Sequence, residues 1–291
     1  MRTFTGMPVF TDQIGRSVAL SHIPKRIISL VPSQTELLYS LGLEESVVGI
    51  TRFCVHPPSW FREKSRIGGT KAIDPARIDA LQPDLIIANK EENERPQVEA
   101  LAERYPVWVS DVKTLADALA MIRSVGDITG TTAAADTLAE EIIRRFAALE
   151  TAVTSSLRGA SPTPRPQVAY LIWYNPWMAA GGDTFIHQML THAGFENVFA
   201  DHTRFANTGP SAGGPVVRYG EIDLSDLAGT DITILLSSEP YPFRERHIRE
   251  VKESLPQARV ELVDGEMFSW YGSRMLLAPA YFQQLHELLL T

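Results

Sequence analysis

Cys54 and His56 stand two residues apart in Arg52-Phe53-Cys54-Val55-His56-Pro57, and Glu91 and Glu92 are adjacent in a second polar segment. A thiolate, an imidazole and carboxylates are the donor types that hold a transition metal, so Cys54, His56, Glu91 and Glu92 form a candidate metal set. A lone Cys-x-His pair lacks the second pair that makes zinc motifs specific, and a buried inert cysteine beside a turn histidine gives the same spacing. Two more readings stay open. His56 could be an axial ligand to the metal of a bound chelate, or Cys54 could be a nucleophile with His56 or Glu91 as its base.

A larger group of residues suits binding rather than turnover. Phe53, Trp173, Tyr174, Trp177 and Trp270 would stack on a flat ligand, and Ser33, Arg52, Glu91 and Glu92 would fix its polar groups. Glu239, Tyr241 and Tyr271 belong to the same kind of segment. Any single ring could instead plug a core, but ligand pockets are typically apolar with a few polar groups, which favours the set as a whole. Gly68-Gly69-Thr70-Lys71 lacks phosphate-loop spacing and reads as a tight turn, and Gly181-Gly182-Asp183-Thr184 reads as a helix cap. The sequence has neither a G-x-S-x-G elbow nor an H-E-x-x-H pair, which removes two hydrolase readings.

These residues fall at the ends of β-branched runs. Arg26 to Val31 is a short apolar strand leading into a helix from Thr35 to Leu41, with Gly42 beyond its end. Val47 to Thr51, Asp84 to Asn89 and Val107 to Ser110 repeat the strand pattern. Asp74-Pro75 starts one intervening helix, and Pro96 to Arg104 forms another. The second half offers Val168 to Trp173, a helix from Phe185 to Ala193, Asp231 to Glu239 and Val260 to Asp264. Continuous apolar strands alternating with helices predict parallel sheets covered on both faces, in two similar α/β, Rossmann-like lobes. Ligands of such sheets meet the loops beyond the strands' carboxyl ends, where the candidate residues lie.

Between the halves, Leu138, Ile142, Phe146, Leu149, Val153 and Leu157 are spaced by threes and fours. They predict one helix from Thr131 to Leu157, about 40 Å long at 1.5 Å per residue, long enough to brace both lobes and hold closure to a small motion. The stretch from Gly159 to Pro166 reads as a loop. The expected division is 1–130 for the first lobe, 131–158 for the connecting helix and 159–291 for the second lobe.

The 291 residues suffice for two cores, and a composition of 44% hydrophobic and 21% charged residues predicts a chain folded throughout. A formal charge of -8 without clustered Lys and Arg speaks against nucleic acid. No apolar run reaches the roughly eighteen residues of a membrane span, so a soluble protein is expected. The single cysteine excludes an internal disulfide and lies too deep in the chain for a lipid anchor.

Three segments together resemble the helical-backbone metal receptor family, the periplasmic binding proteins for cobalamin, haem and ferric siderophores. They are Arg26 to Ser33, Glu36-Leu37-Leu38-Tyr39-Ser40-Leu41-Gly42, and Ile78-Asp79-Ala80-Leu81-Gln82-Pro83-Asp84-Leu85-Ile86-Ile87-Ala88. The resemblance covers nearly the whole chain. It implies two α/β lobes joined by one long helix, a metal chelate as ligand in the cleft, no tightly required cofactor and no catalysis. It also implies an ABC permease met by an acidic residue on each lobe, for which Asp74 and Glu221 or Asp223 are the nearest matches. The resemblance places the protein in the periplasm, while Met1 as the native start would place it in the cytoplasm, because the residues that follow it show no signal peptide. A metal-ion scavenger or sensor, and a Cys54-dependent enzyme, are the alternatives.

Overall fold

The computed structural model describes residues 8–157, 164–201, 205 and 217–290. Residues 1–7, and residues 159–163 of the expected loop between the lobes, lie outside the described residues. The chain forms two units: Met1–Val112, Ala116–Glu141 and Trp270–Arg274 make the first, and Lys113–Leu115, Ile142–Ser269 and Met275–Thr291 the second.

The first unit opens with an antiparallel pair, β1 (Val9–Thr11) and β2 (Ser17–Ala19). Five parallel strands follow: β3 (Ile27–Ser29), β4 (Val47–Ile50), β5 (Ser65–Arg66), β6 (Leu85–Asn89) and β7 (Val107–Ser110), in the order β5-β4-β3-β6-β7. All residues of β3, β6 and β7 are buried, as strands covered on both faces require. Helices α1 (Pro32–Ser40), α2 (Pro58–Glu63), α3 (Pro75–Leu81) and α4 (Arg95–Ala102) connect them. Proline in the first turn of each fits a position whose N–H has no helical partner. As expected, Asp74 caps α3, accepting from the Arg77 amide at 3.2 Å. The Gly68-Gly69 segment is a tight turn, closed by Gly69 N–H donating to Ala72 O at 2.7 Å. Because β4 and β6 flank β3, the strand order reverses there, and the carboxyl ends of these strands form the natural ligand edge.

Two helices end the first half, α5 (Leu115–Thr129) and α6 (Thr132–Leu157). The 26 residues of α6 give a rod of about 39 Å, with residues up to Glu141 in the first unit and the rest in the second. Its buried stripe is Ala135, Ala139, Ile142, Phe146, Leu149 and Val153, and Leu138 is only half-buried. At the start of the stripe Ala135 packs closely against α5. A Cβ placed on Gly126 would lie 2.3 Å from the Ala135 Cβ.

The second unit contains β8 (Gln167–Trp173), β9 (Met178–Ala180), α7 (Phe185–His192), β10 (Glu196–Asn197), β11 (Tyr219–Glu221), β12 (Ile232–Ser237), α8 (Glu245–Ser254), β13 (Arg259–Val263), α9 (Gly265–Ser269) and α10 (Ala278–Leu289). Strands β8, β10, β12 and β13 are parallel, whereas β9, near one edge, pairs antiparallel with both β8 and β11. Its sheet is therefore mixed, where an all-parallel one was expected. Residues 174–177 turn β8 back on itself as a hairpin, and such a connection reverses strand direction.

Candidate functional site

At the carboxyl edge of the first sheet, three loops gather most of the polar residues anticipated from sequence. Ser33 is buried in the first turn of α1. Beyond β6, the Asn89 side chain accepts from the Glu91 and Glu92 amides at 2.8 and 3.0 Å, which turns both glutamates into the edge. Asn93 Oδ1 accepts from the Asn89 amide at 2.9 Å, and Asn93 Nδ2 donates to Thr70 O at 3.0 Å. These two asparagines are positioning residues that sequence reasoning did not single out. A signal was present, since Asn favours side-chain-to-backbone turns where a strand ends.

Trp270 and Tyr271 are the largest departure from expectation. They were assigned to loops of the second lobe, yet residues 270–274 form part of the first unit. Trp270 is only 6% exposed, its ring 5.7 Å from that of His56 on one side and 5.0 Å from the Arg274 guanidinium on another. Arg274 is held in turn by Glu36 through two hydrogen bonds of 2.8 and 3.0 Å. Tyr271 is buried and donates to Glu92 Oε1 at 3.3 Å. Burial, with the Glu92 carboxylate beside it, pushes the Tyr271 phenol far above its usual range, so it remains a proton donor. Gly272, at φ +111°, has a conformation that side chains rarely adopt, and a Cβ there would lie 3.3 Å from Leu37 Cβ. Trp270 is thus a packed ring rather than an open stacking surface.

The four-residue metal set is not assembled. Among the described residues, no three or more His, Cys, Asp and Glu side chains come together to hold a metal ion. Cys54 is fully buried, with the Thr35 and Thr51 hydroxyls each 3.1 Å from Sγ, and burial raises its thiol pKa away from the thiolate needed by a metal or a nucleophile. The inert-cysteine alternative is the one realised. Arg52 and Phe53, two residues earlier in the loop, are exposed.

In the second unit the aromatic residues form one continuous cluster after β8 and β12. Trp173 ends β8 at 42% exposure and meets Tyr241 edge-on at 5.7 Å. Tyr174 lies 5.0 Å from Trp177 and 5.6 Å from Tyr241, and Trp177 stacks on Phe243 at 5.8 Å. Tyr174, Trp177 and Tyr241 each have one side against the core, so they are half-buried platforms. Beneath them the buried His247 accepts from the Arg244 amide through Nδ1 at 2.9 Å, leaving Nε2 to face Tyr241 Oη at 3.2 Å. Glu239 is bonded to the Ser269 hydroxyl, and Ser237 next to it accepts from the Tyr170 phenol at 3.0 Å. Glu239 therefore lies in the edge of this unit as a partnered carboxylate.

The acidic residues considered for docking differ in their surroundings. Asp74 is committed to its cap and to an ion pair with Arg77 at 3.1 Å. Glu221 and Asp223 line a surface cavity of about 410 Å³ with Pro176, Trp177, Ile222, Leu224 and Ser254. As expected for the Gly181 to Thr184 segment, Thr184 caps α7, accepting from the His187 amide at 3.0 Å.

Comparison with known proteins places this arrangement among relatives. A family model described as periplasmic binding protein matches residues 27–252. A vitamin B12-binding protein of Pectobacterium atrosepticum is 29% identical over 182 residues, covering 62% of this chain and 64% of its own length. The chain thus matches less than two thirds of that relative. Among solved structures, a periplasmic heme-binding protein from Pseudomonas aeruginosa superimposes with a TM-score of 0.74 at 18% identity, covering 90% of this chain and 92% of that one. An ABC-type Fe3+-hydroxamate transport protein from Saccharomonospora viridis gives 0.67 at 20% identity, covering 95% and 98%. At such identities these two likenesses establish the fold.

Proposed function

The chain belongs to the periplasmic binding protein family, and from that premise we propose that it is the substrate-binding component of an ABC-type uptake system for a cobalamin, haem or ferric-siderophore chelate. The observation that carries the reading is the pairing of half-open rings with partnered polar groups at the carboxyl edge of each sheet. In the first unit these are Phe53, His56 and Glu92, with the buried Ser33 beside them, and in the second Trp173, Tyr174, Tyr241 and Glu239. A flat chelate needs apolar area to stack on and a few fixed polar groups for orientation, and it needs no activated nucleophile. The vitamin B12-binding, heme-binding and Fe3+-hydroxamate transport relatives support the same three ligand classes.

The burial of Cys54 speaks against a thiol enzyme. It also speaks against a free-metal scavenger built on that residue. Among the described residues no helix is long and apolar enough to cross a membrane, which fits a receptor that hands its cargo to a separate permease. Asp74 and Glu221 or Asp223 are the acids proposed to meet that permease, and the periplasm is the compartment in which it would work.

A titration panel tests the proposal. Corrinoids, haem and ferric siderophores are each added while tryptophan fluorescence and thermal unfolding are followed. One class is expected to quench Trp173 and Trp177 and to raise the midpoint, since ligand at a hundred times Kd stabilises by about 2.7 kcal/mol. A panel in which no chelate quenches or stabilises would refute the reading.

A further inference from the structure

We infer that Arg52, stacked on Phe53, selects a chelate bearing a carboxylate or phosphate group; this rests on the chelate-binding function proposed above. The Arg52 guanidinium carbon lies 5.0 Å from the Phe53 ring centroid, and both side chains are exposed, Phe53 by 48%. The pair is held in place. Arg52 N–H donates to Gly68 O at 2.8 Å, which ties the loop after β4 to the glycine turn. A Cβ on Gly69 would stand 3.1 Å from Phe53 Cε2 and 3.3 and 3.4 Å from Arg52 Nε and Nη2, so both side chains rest against bare backbone. Gly69 does not adopt a left-handed conformation, which leaves the room it gives this pair as the reason for a glycine there.

The other cations near this edge are engaged. Lys71 donates to Glu91 O at 2.8 Å and pairs with Glu94 at 3.5 Å. Lys90 pairs with Asp111, and Arg274 with Glu36. Among the described residues Arg52 has neither a hydrogen bond nor an ion pair from its guanidinium, in a chain of net charge -8 that offers many carboxylates. Stacking on a ring uses the face of the guanidinium and leaves its in-plane N–H groups free. Those groups match a carboxylate or phosphate in bidentate fashion. An arginine prepared in this way and left without an internal anion is suited to an anion carried by the ligand.

Matched probe pairs test the inference on the intact chain: haem against its dimethyl ester, cobalamin against cobinamide, which lacks the phosphodiester, and ferric citrate against a neutral ferric trihydroxamate. Wild-type protein should prefer the anionic member of the pair it binds by about tenfold or more, an amount equivalent to about 1.4 kcal/mol. Arg52→Gln should remove that preference, weakening the anionic member by about tenfold and the neutral one by less than about twofold. Gly69→Ala, which displaces the pair without backbone strain, should lower the preference in the same direction while the unfolding midpoint holds. Preference within the haem or citrate pair identifies a carboxylate, and within the cobalamin pair a phosphate. Equal wild-type affinity within a bound pair, or an equal loss on both members in Arg52→Gln, overturns the inference and leaves the receptor function standing. Binding of none of the six probes overturns both.

Discussion

Cys54 shows how one residue's chemistry is decided by its surroundings. With no water contact and two threonine hydroxyls for neighbours, the thiol's pKa is raised, so at neutral pH it stays protonated and shielded. A thiol reagent at pH 8 is expected to leave the native protein unlabelled and to label it fully in denaturant, as mass spectrometry would read. Cys54→Ser should retain ligand affinity within about twofold, because no ligand contact is assigned to Sγ. Rapid labelling of the native protein would show that the thiol is open and that the metal and nucleophile readings must return. The spacing of Cys54 and His56 was legible in the sequence, but burial depends on residues distant along the chain, here Thr35 as well as the neighbouring Thr51.

Among elements, the segment Trp270–Arg274 departs furthest from its expected place. It lies within the first unit, tied by the Arg274–Glu36 ion pair, the Tyr271–Glu92 hydrogen bond and the Trp270–His56 ring contact. The ion pair is largely shielded, with side chains 11% and 20% exposed, so losing it leaves a charge poorly solvated. Arg274→Ala is expected to cost about 1–3 kcal/mol in denaturant unfolding. It should also shift tryptophan emission, because the guanidinium sits over Trp270. An unchanged midpoint and spectrum would deny the segment its positioning role. Helix α6 was more legible: its apolar period gave its length and its later buried residues directly. The two ends of the stripe were misread: Leu138 and Leu157 are only half-buried, and the closeness of α5 at Gly126 and Ala135 is a property of packing.

At the scale of the molecule, the two units differ in their buried and half-buried histidines. His187, His192, His247 and His286 all lie in the second unit, and burial lowers the pKa of each. A depressed histidine pKa means that the unfolded chain takes up the proton first. Stability is therefore complete above the ordinary value of about 6.5 and is lost as pH falls toward the folded value. Protonating His247 would also remove the acceptor for the Arg244 amide that caps α8. Amide protection factors, corrected for the intrinsic exchange rate at each pH, are expected to fall in β8 and β12 between pH 7 and pH 5 before they do in β3 and β6. Earlier loss in the first unit would contradict this. By itself the sequence determined the alternation of strands and helices, the long helix and the loops that carry the candidate residues, because each is written in local periodicity and capping. Only the tertiary structure decided the mixed second sheet, the burial of Cys54 and Trp270 and the unit in which Tyr271 works. Those outcomes depend on which distant segments exclude water from one another, and periodicity along a chain does not encode that.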